Sequence, residues 1–325
     1  MIKERAWPTK AMYILIAAAL AISLMIMVAP AQKVSAAPDE VKAEWDMVDT
    51  PTIDGWVLAP GSVIYDYALA SEGDVAYAVV EAYDETCVDD DVFASYYTDR
   101  LLMSDNGGAT WTDLTDTLLD QLDDDGYTLD FLWQVATDWI DPDFLAVALV
   151  VTNYTDTPIH VYISADGGDT FVDAGEVEDG VYLDYVSDLA VSPAVDEVRD
   201  IAIGGYDGSD DAALFRCTVD GDNPGSWKDA TDYNGWDDEG TLPYGPSFLV
   251  TDIIFSPNWA TDATILAVTV ADDYDYESVY LQSGQFGKTN GAWNADAGFA
   301  DAVLVKEDVE LPLWIADAFD AIRRP

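Results

Sequence analysis

Two octets of this sequence match position by position, and their spacing constrains the fold more than any other feature. Ser104-Asp105-Asn106-Gly107-Gly108-Ala109-Thr110-Trp111 and Ser164-Ala165-Asp166-Gly167-Gly168-Asp169-Thr170-Phe171 share the form S-x-[DN]-x-G-x-T-[WF] and begin 60 residues apart. Recurrence at such a spacing is the mark of a repeat architecture, in which one supersecondary unit is copied along the chain. A weaker third copy is Thr218-Val219-Asp220 followed, after an insertion, by Ser226-Trp227. A fourth keeps Ser283 and Trp293 around a Gly-rich turn. A second landmark, Asp188-Leu189-Ala190-Val191-Ser192-Pro193, recurs as Asp252-Ile253-Ile254-Phe255-Ser256-Pro257, with Asp138 and Asp141-Pro142 as a looser relative.

β-rich apolar runs follow the second landmark at 144–151, 198–204 and 264–270, and short apolar segments at 159–163, 214–217 and 279–281 lead into the Ser/Asp turns. Each unit therefore reads as four short strands, and units of this length suit the blades of a β-propeller. The first blade is expected near 63–70, 75–82, 100–104 and 110–114. The next three begin near Leu129, Val186 and Leu249. No segment beyond the N-terminal run shows helical periodicity. The stretches 302–305 and 311–316, with Trp314-Ile315-Ala316-Asp317, read as the start of a further blade. Two endings are open: a fifth blade completed by N-terminal strands near 42–48, or a shortened propeller.

The octets resemble the Asp-box (BNR-type) turn of the sialidase and sortilin-like propellers, and with the weaker copies the likeness covers roughly residues 60–300. It implies an all-β fold of four-stranded antiparallel blades, four complete and a fifth partial. Between the last two strands, Ser104 and Asn106, or Ser164 and Asp166, bond turn amides, while Gly108 and Gly168 permit positive φ. Thr110 and Thr170 tie the turn down, and Trp111 and Phe171 pack between neighbouring blades. The motif is a structural staple and says little about activity.

The first 36 residues read as an export signal: Lys3, Arg5 and Lys10 precede an apolar run from Ala11 to Val28, then Ala29-Pro30 and a small-residue site at Val34-Ser35-Ala36. The alternative is a retained membrane anchor, since a run of 18 residues, apolar but for Ser23, is just enough to span a bilayer. Either way residues 37–325, read as the propeller, are expected to be extracellular or at the cell surface. An even cysteine count in such a place permits one disulfide between Cys87 and Cys217; two separate thiols are the alternative.

Charge restricts the partners. The chain carries 63 acidic and 13 basic residues, a net charge of −50. Without the leader, nine basic residues face 62 acidic ones, a net −53. Such a charge repels nucleic acid and anionic membranes, so no nucleic acid, and no membrane beyond the N-terminal segment, is expected as a partner. With 11 Trp, 18 Tyr and 10 Phe the chain still has the means to build a core. The acidic clusters fall mainly in the second-to-third-strand loops and the inter-blade connections, which share one face of the disc. Asp89-Asp90-Asp91 and the set Asp207, Asp210 and Asp211 are the candidate Ca²⁺ ligands, because that ion takes six to eight closely spaced oxygens; a solvated loop face is the plainer reading.

A sialidase needs three arginines to hold a substrate carboxylate. The mature chain offers only Arg100, Arg199, Arg216, Arg323 and Arg324, and its charge would repel an anionic sugar. His160, the single histidine, is expected on a strand surface, and no residue stands ready for a Ser/His or Cys/His nucleophile. The leading expectation is a non-catalytic binding or scaffold protein for a protein or glycan ligand, calcium-stabilised. An extracellular carbohydrate-active hydrolase using two carboxylates is the alternative, and a cell-envelope layer is a third.

Overall fold

The computed structural model describes residues 52–306, apart from 54–55, 58–61, 71–72, 84–96, 154–155, 210, 237–245, 274–275 and 288–290. The export segment, Cys87, Asp89, Asp90, Asp91, Asp210, Arg323, Arg324, the strands expected near 42–48 and the segment 311–317 lie outside the described residues.

Apolar, β-branched runs separated by Gly and Asp turns fold into successive antiparallel sheets. After a two-stranded hairpin, β1 (Thr52–Ile53) and β2 (Trp56–Val57), the first sheet has the order β3 (Val63–Leu69), β4 (Ala76–Tyr83), β5 (Tyr97–Ser104), β6 (Thr112–Asp113). The second runs β7 (Thr128–Thr137), β8 (Leu145–Thr152), β9 (Ile159–Ser164), β10 (Val172–Glu176). The third has β11 (Leu183–Val191), β12 (Val198–Asp207) and β13 (Ala212–Asp220), with β14 (Asn223–Pro224) and β15 (Lys228–Asp229) both on β13. The fourth has β16 (Ser247–Phe255), β17 (Thr264–Asp273) and β18 (Tyr276–Phe286), with β19 (Gly291–Trp293) and β20 (Val303–Lys306) both on β18. The chain is an all-β propeller of four-stranded blades. The segment 303–306 pairs Leu304 with Tyr280 at the outer edge of the fourth sheet.

Helix is present where none was expected. Thr115–Asp125 forms α1 in the connection between the first two sheets. Its driving force is a stripe at i, i+4 and i+8: Leu114, Leu118 and Leu122 are buried in the core between those sheets, and Gly126 closes the end in the left-handed region at φ 83°. The Asp residues around that stripe hide its periodicity. A short α2 (Trp259–Asp262) fills the first hairpin of the fourth sheet.

Three apolar cores lie between the four sheets. Tyr77, Leu101 and Leu114 meet Leu132, Val147, Tyr162 and Phe171 between the first and second sheets. Ile159, Val161 and Ile163 meet Ile201, Phe215 and Trp227 between the second and third. Leu214 and Ala230 meet Ile253, Phe286 and Trp293 between the third and fourth.

Each core contains one aromatic in, or immediately before, a sheet's short last strand. Phe171, Trp227 and Trp293 occupy this place, and each packs back on the preceding sheet. Trp227 Nε1–H donates to the Ala174 carbonyl at 3.0 Å, and Trp293 Nε1–H to that of Ala230 at 2.7 Å. Each acceptor stands three residues after the preceding sheet's own aromatic. Trp111 departs from the expected inter-blade packing. It is half-buried over its own sheet beside Ala78, Val80 and Leu102, and donates to the Gly108 carbonyl at 3.1 Å. Among the described residues no four-stranded sheet precedes its own, and Ile64, Tyr67 and Leu69 on the same sheet stay exposed.

The octets fold as hairpin staples. The Ser104 and Ser164 hydroxyls each accept from the amide of Gly108 and Gly168, both at 2.8 Å. The Asn106 and Asp166 side chains accept from the Thr110 and Thr170 amides at 2.8 and 2.9 Å, and the Thr170 hydroxyl donates to Asp166 at 2.7 Å. Gly108 and Gly168 have φ of 83° and 94°. A β-carbon on Gly168 would also sit 2.4 Å from the Leu114 side chain, so glycine there serves the inter-sheet contact too.

The wedge predicts a specific cost. Trp293 is fully buried, so Trp293→Ala should destabilise by about 3–5 kcal/mol, as large-to-small core changes do. Chemical denaturation should show this as a lower midpoint with an unchanged m-value.

Candidate functional site

The first strands of the four sheets, β3, β7, β11 and β16, line a central cavity of about 430 Å³. All four bulge at the same point, so Tyr65, Trp133, Ser187 and Thr251 drop out of register. Asp66, Gln134, Asp188 and Asp252 follow them. The bulge lets Asp66, Gln134 and Asp188 reach the next sheet. Asp66 Oδ2 accepts from the Val135 amide at 3.0 Å, and Asp188 Oδ2 from the Ile253 amide at 2.5 Å. Gln134 Nε2 donates to the Ser187 carbonyl at 2.5 Å. Gln134 thus holds the Asp188 position, and Asp138, suggested by the sequence as a relative of Asp188, holds that of Ser192. The Asp138, Ser192 and Ser256 amides bond the same next-strand carbonyl, those of Phe144, Asp200 and Thr264.

Burial pushes the Asp188 carboxyl up to about 7, against the opposing hydrogen bond from the Ile253 amide. Asp66 is raised for the same reason. A carboxyl whose folded pKa exceeds its unfolded one stabilises the fold fully below the unfolded value, and that stability is lost as pH rises through the folded value. The protein should therefore melt higher at pH 5.5 than at pH 8. Relief of general charge repulsion acts in the same direction. Asp188→Asn isolates the local part: its melting temperature should vary less over that window in parallel thermal melts.

The described arginines are all engaged. Arg199 is buried between Asp138, at 2.9 Å, and Asp141, and lies 4.5 Å from the centre of the Phe144 ring. Arg100 pairs with Asp113 at 3.2 Å, and Arg216 lies 3.9 Å from Asp200 and 5.1 Å from the Phe286 ring centre. These three side chains lie on two sheets, Arg100 on the first and Arg199 and Arg216 on neighbouring strands of the third, and each is tied to a structural carboxylate. They do not form a cluster for an anionic substrate.

His160 is buried, not on a strand surface as expected. It lies on β9 with Nδ1 at 3.1 Å from Asp173 and its ring against Tyr127. The surface prediction failed because β9 is buried on both faces, which alternation cannot reveal. Cys217 is a buried free thiol on β13 that donates to the Gly225 carbonyl at 3.4 Å, and burial pushes its pKa up to about 11. Of the candidate calcium ligands, Asp207 caps its own loop: Oδ1 accepts from the amides of Ser209 at 2.7 Å and Asp211 at 3.1 Å. Among the described residues no three Asp, Glu, His or Cys side chains converge on a common point.

A site with a ligand's dimensions lies on the acidic face, between the second and third sheets. It is a cleft of about 550 Å³ lined by Trp133, Asp156, Glu176, Tyr182 and Asp184. Local folding explains each wall. Asp156 sits in the β8–β9 loop, where its amide donates to Asn153 Oδ1 at 3.2 Å. Glu176 is carried opposite His160 by a bulge at Gly175, whose amide donates to Asp173 Oδ1 at 2.7 Å. Tyr182 closes a small hairpin with Glu178 and lies over Gly208, where a β-carbon would meet its ring at 2.6 Å. Asp184 is extruded by a bulge at the start of β11. Tyr182 is 57% exposed, so its ring is presented to solvent.

The Glu176 carboxyl stands above the usual range. Desolvation contributes most, followed by repulsion from Glu178, while His160 opposes the rise and Asp156 adds to it. Sequence reading placed an acidic face here but missed the cleft. Trp133 and Asp184 point into it only because bulges shift their strands by one residue, and no composition signal marks a bulge.

No family model matches the sequence, and no curated protein matches it. Several solved structures are similar over part of their length. A Hadza microbial sialidase is 12% identical with a TM-score of 0.40, over 76% of this chain and 45% of that one. An α-L-arabinofuranosidase from Fusarium graminearum is 15% identical at 0.36, over 71% and 66%. A GH74 xyloglucanase from Xanthomonas campestris is 15% identical at 0.33, over 71% and 38%. The matched region thus spans between about two fifths and two thirds of those proteins. Among the described residues no helix is long and apolar enough to cross a membrane.

Proposed function

We propose that this chain is an extracellular, Asp-box-type propeller that acts on neutral carbohydrate in the cleft between its second and third sheets. The carrying observation is the pairing of aromatic surface, the exposed Tyr182 and the half-buried Trp133, with three carboxylates, Asp156, Glu176 and Asp184, in one open cleft. Aromatic faces cover the C–H faces of a pyranose, and carboxylates accept its hydroxyls in charge-assisted hydrogen bonds. The net charge selects against acidic sugars. In hydrolysis Glu176 is the proton donor, its carboxyl being raised mainly by desolvation in the cleft wall. Asp156 or Asp184 serves as the second carboxylate that glycoside cleavage requires.

Binding without turnover is the other reading, favoured by the solvent exposure of all three carboxylates. The two separate in one experiment, in which the full chain is incubated with neutral polysaccharides and new reducing ends are counted. Hydrolysis predicts release by the native protein and a loss of about 10²-fold or more in Glu176→Gln, with binding retained. Binding with no release leaves a lectin-like protein. Failure to bind any neutral glycan, with Tyr182→Ala indistinguishable from native, rejects both.

A further inference from the structure

The cleft has a counterpart one sheet away. Between the first and second sheets, on the same face, Glu81, Asp99, Arg100, Asp130 and Phe131 line a second cleft of about 420 Å³. The two are built alike. Asp130 is extruded by a bulge between Leu129 and Phe131, as Asp184 is between Leu183 and Tyr185. An aromatic from the deeper bulge of one sheet packs edge-on against an aromatic of the next. Tyr65 meets Phe131 with ring centres 4.9 Å apart, and Trp133 meets Tyr185 at 5.3 Å. The Tyr65 hydroxyl bonds Glu81, and its pKa is raised mainly by burial. The two units join through Phe131 and Trp133, 5.7 Å apart, one ring lining each cleft.

We propose that both clefts and the row Tyr65–Phe131–Trp133–Tyr185 form one continuous track for an extended neutral polysaccharide, with at least two sugar-binding subsites related by the blade repeat. This rests on the carbohydrate reading of the first cleft and names its ligand as a linear chain, not a terminal sugar. A row of rings that crosses two blade junctions, with a carboxylate-walled recess on each side, suits a ligand that is itself a repeat. The recesses supply hydroxyl acceptors at intervals, and the ridge between them supplies apolar surface. A compact monosaccharide would fill one recess and leave the equivalent one without a role.

Titration calorimetry with neutral gluco-, xylo- and manno-oligosaccharides, from disaccharide to hexasaccharide, tests this. In one of these series the native chain should gain affinity with length, by about tenfold or more overall, equivalent to about 1.4 kcal/mol. Tyr65→Ala, at a 41% exposed position, should abolish that gain. Asp130→Asn should reduce the gain, and Tyr182→Ala should weaken every length. Affinity independent of length, or a length gain that survives both Tyr65→Ala and Asp130→Asn, overturns the track and leaves the first cleft standing. Absence of binding at every length overturns the carbohydrate reading and this inference together.

Discussion

The structure depends on the wedge that each sheet drives into the one before it. No sheet here buries its own apolar face alone. Burial is completed at the junctions, where Phe171, Trp227 and Trp293 lean back onto the preceding last strand. A buried indole N–H without a partner would cost more than its ring gains from a looser fit, so the Trp227 and Trp293 bonds to carbonyls set angle as well as distance. The inner strands repeat the logic with carboxylates: Asp66 and Asp188 accept amides from the sheet that follows. Aromatic wedges outside and polar hooks inside together fix one sheet's orientation to the next.

The hooks come at an electrostatic cost. In a chain with 63 acidic residues, holding Asp188 in the centre with a raised pKa adds strain to a fold that already repels itself. The bulge that places Asp188 recurs in all four inner strands and leaves the preceding residue unpaired. Where that residue is Tyr65 or Trp133, the unpaired position becomes aromatic surface on the acidic face. The device that locks the sheets together thus also furnishes the clefts.

Much of the architecture was legible in the residues. The strand starts expected near Leu129, Val186 and Leu249 lie within three residues of the observed Thr128, Leu183 and Ser247. The octets could be read because their hydrogen bonds are local, joining residues two to four apart. α1 could not be, because its Leu stripe is embedded in Asp residues that satisfy turn and helix composition equally well. His160 was misplaced because a doubly buried strand has no alternation to report.

By itself the sequence determined the repeat, the four-stranded unit and the sign of the surface, because each follows from short-range chemistry or from counting. Only the tertiary structure decided which acidic residues stand together. Asp156, Glu176 and Asp184 come from a loop, a strand end and a bulge on two different sheets. Their meeting depends on inter-sheet packing and on one-residue register shifts. A shift of one residue turns a side chain to the opposite face of its strand, yet it leaves composition unchanged and periodicity almost so.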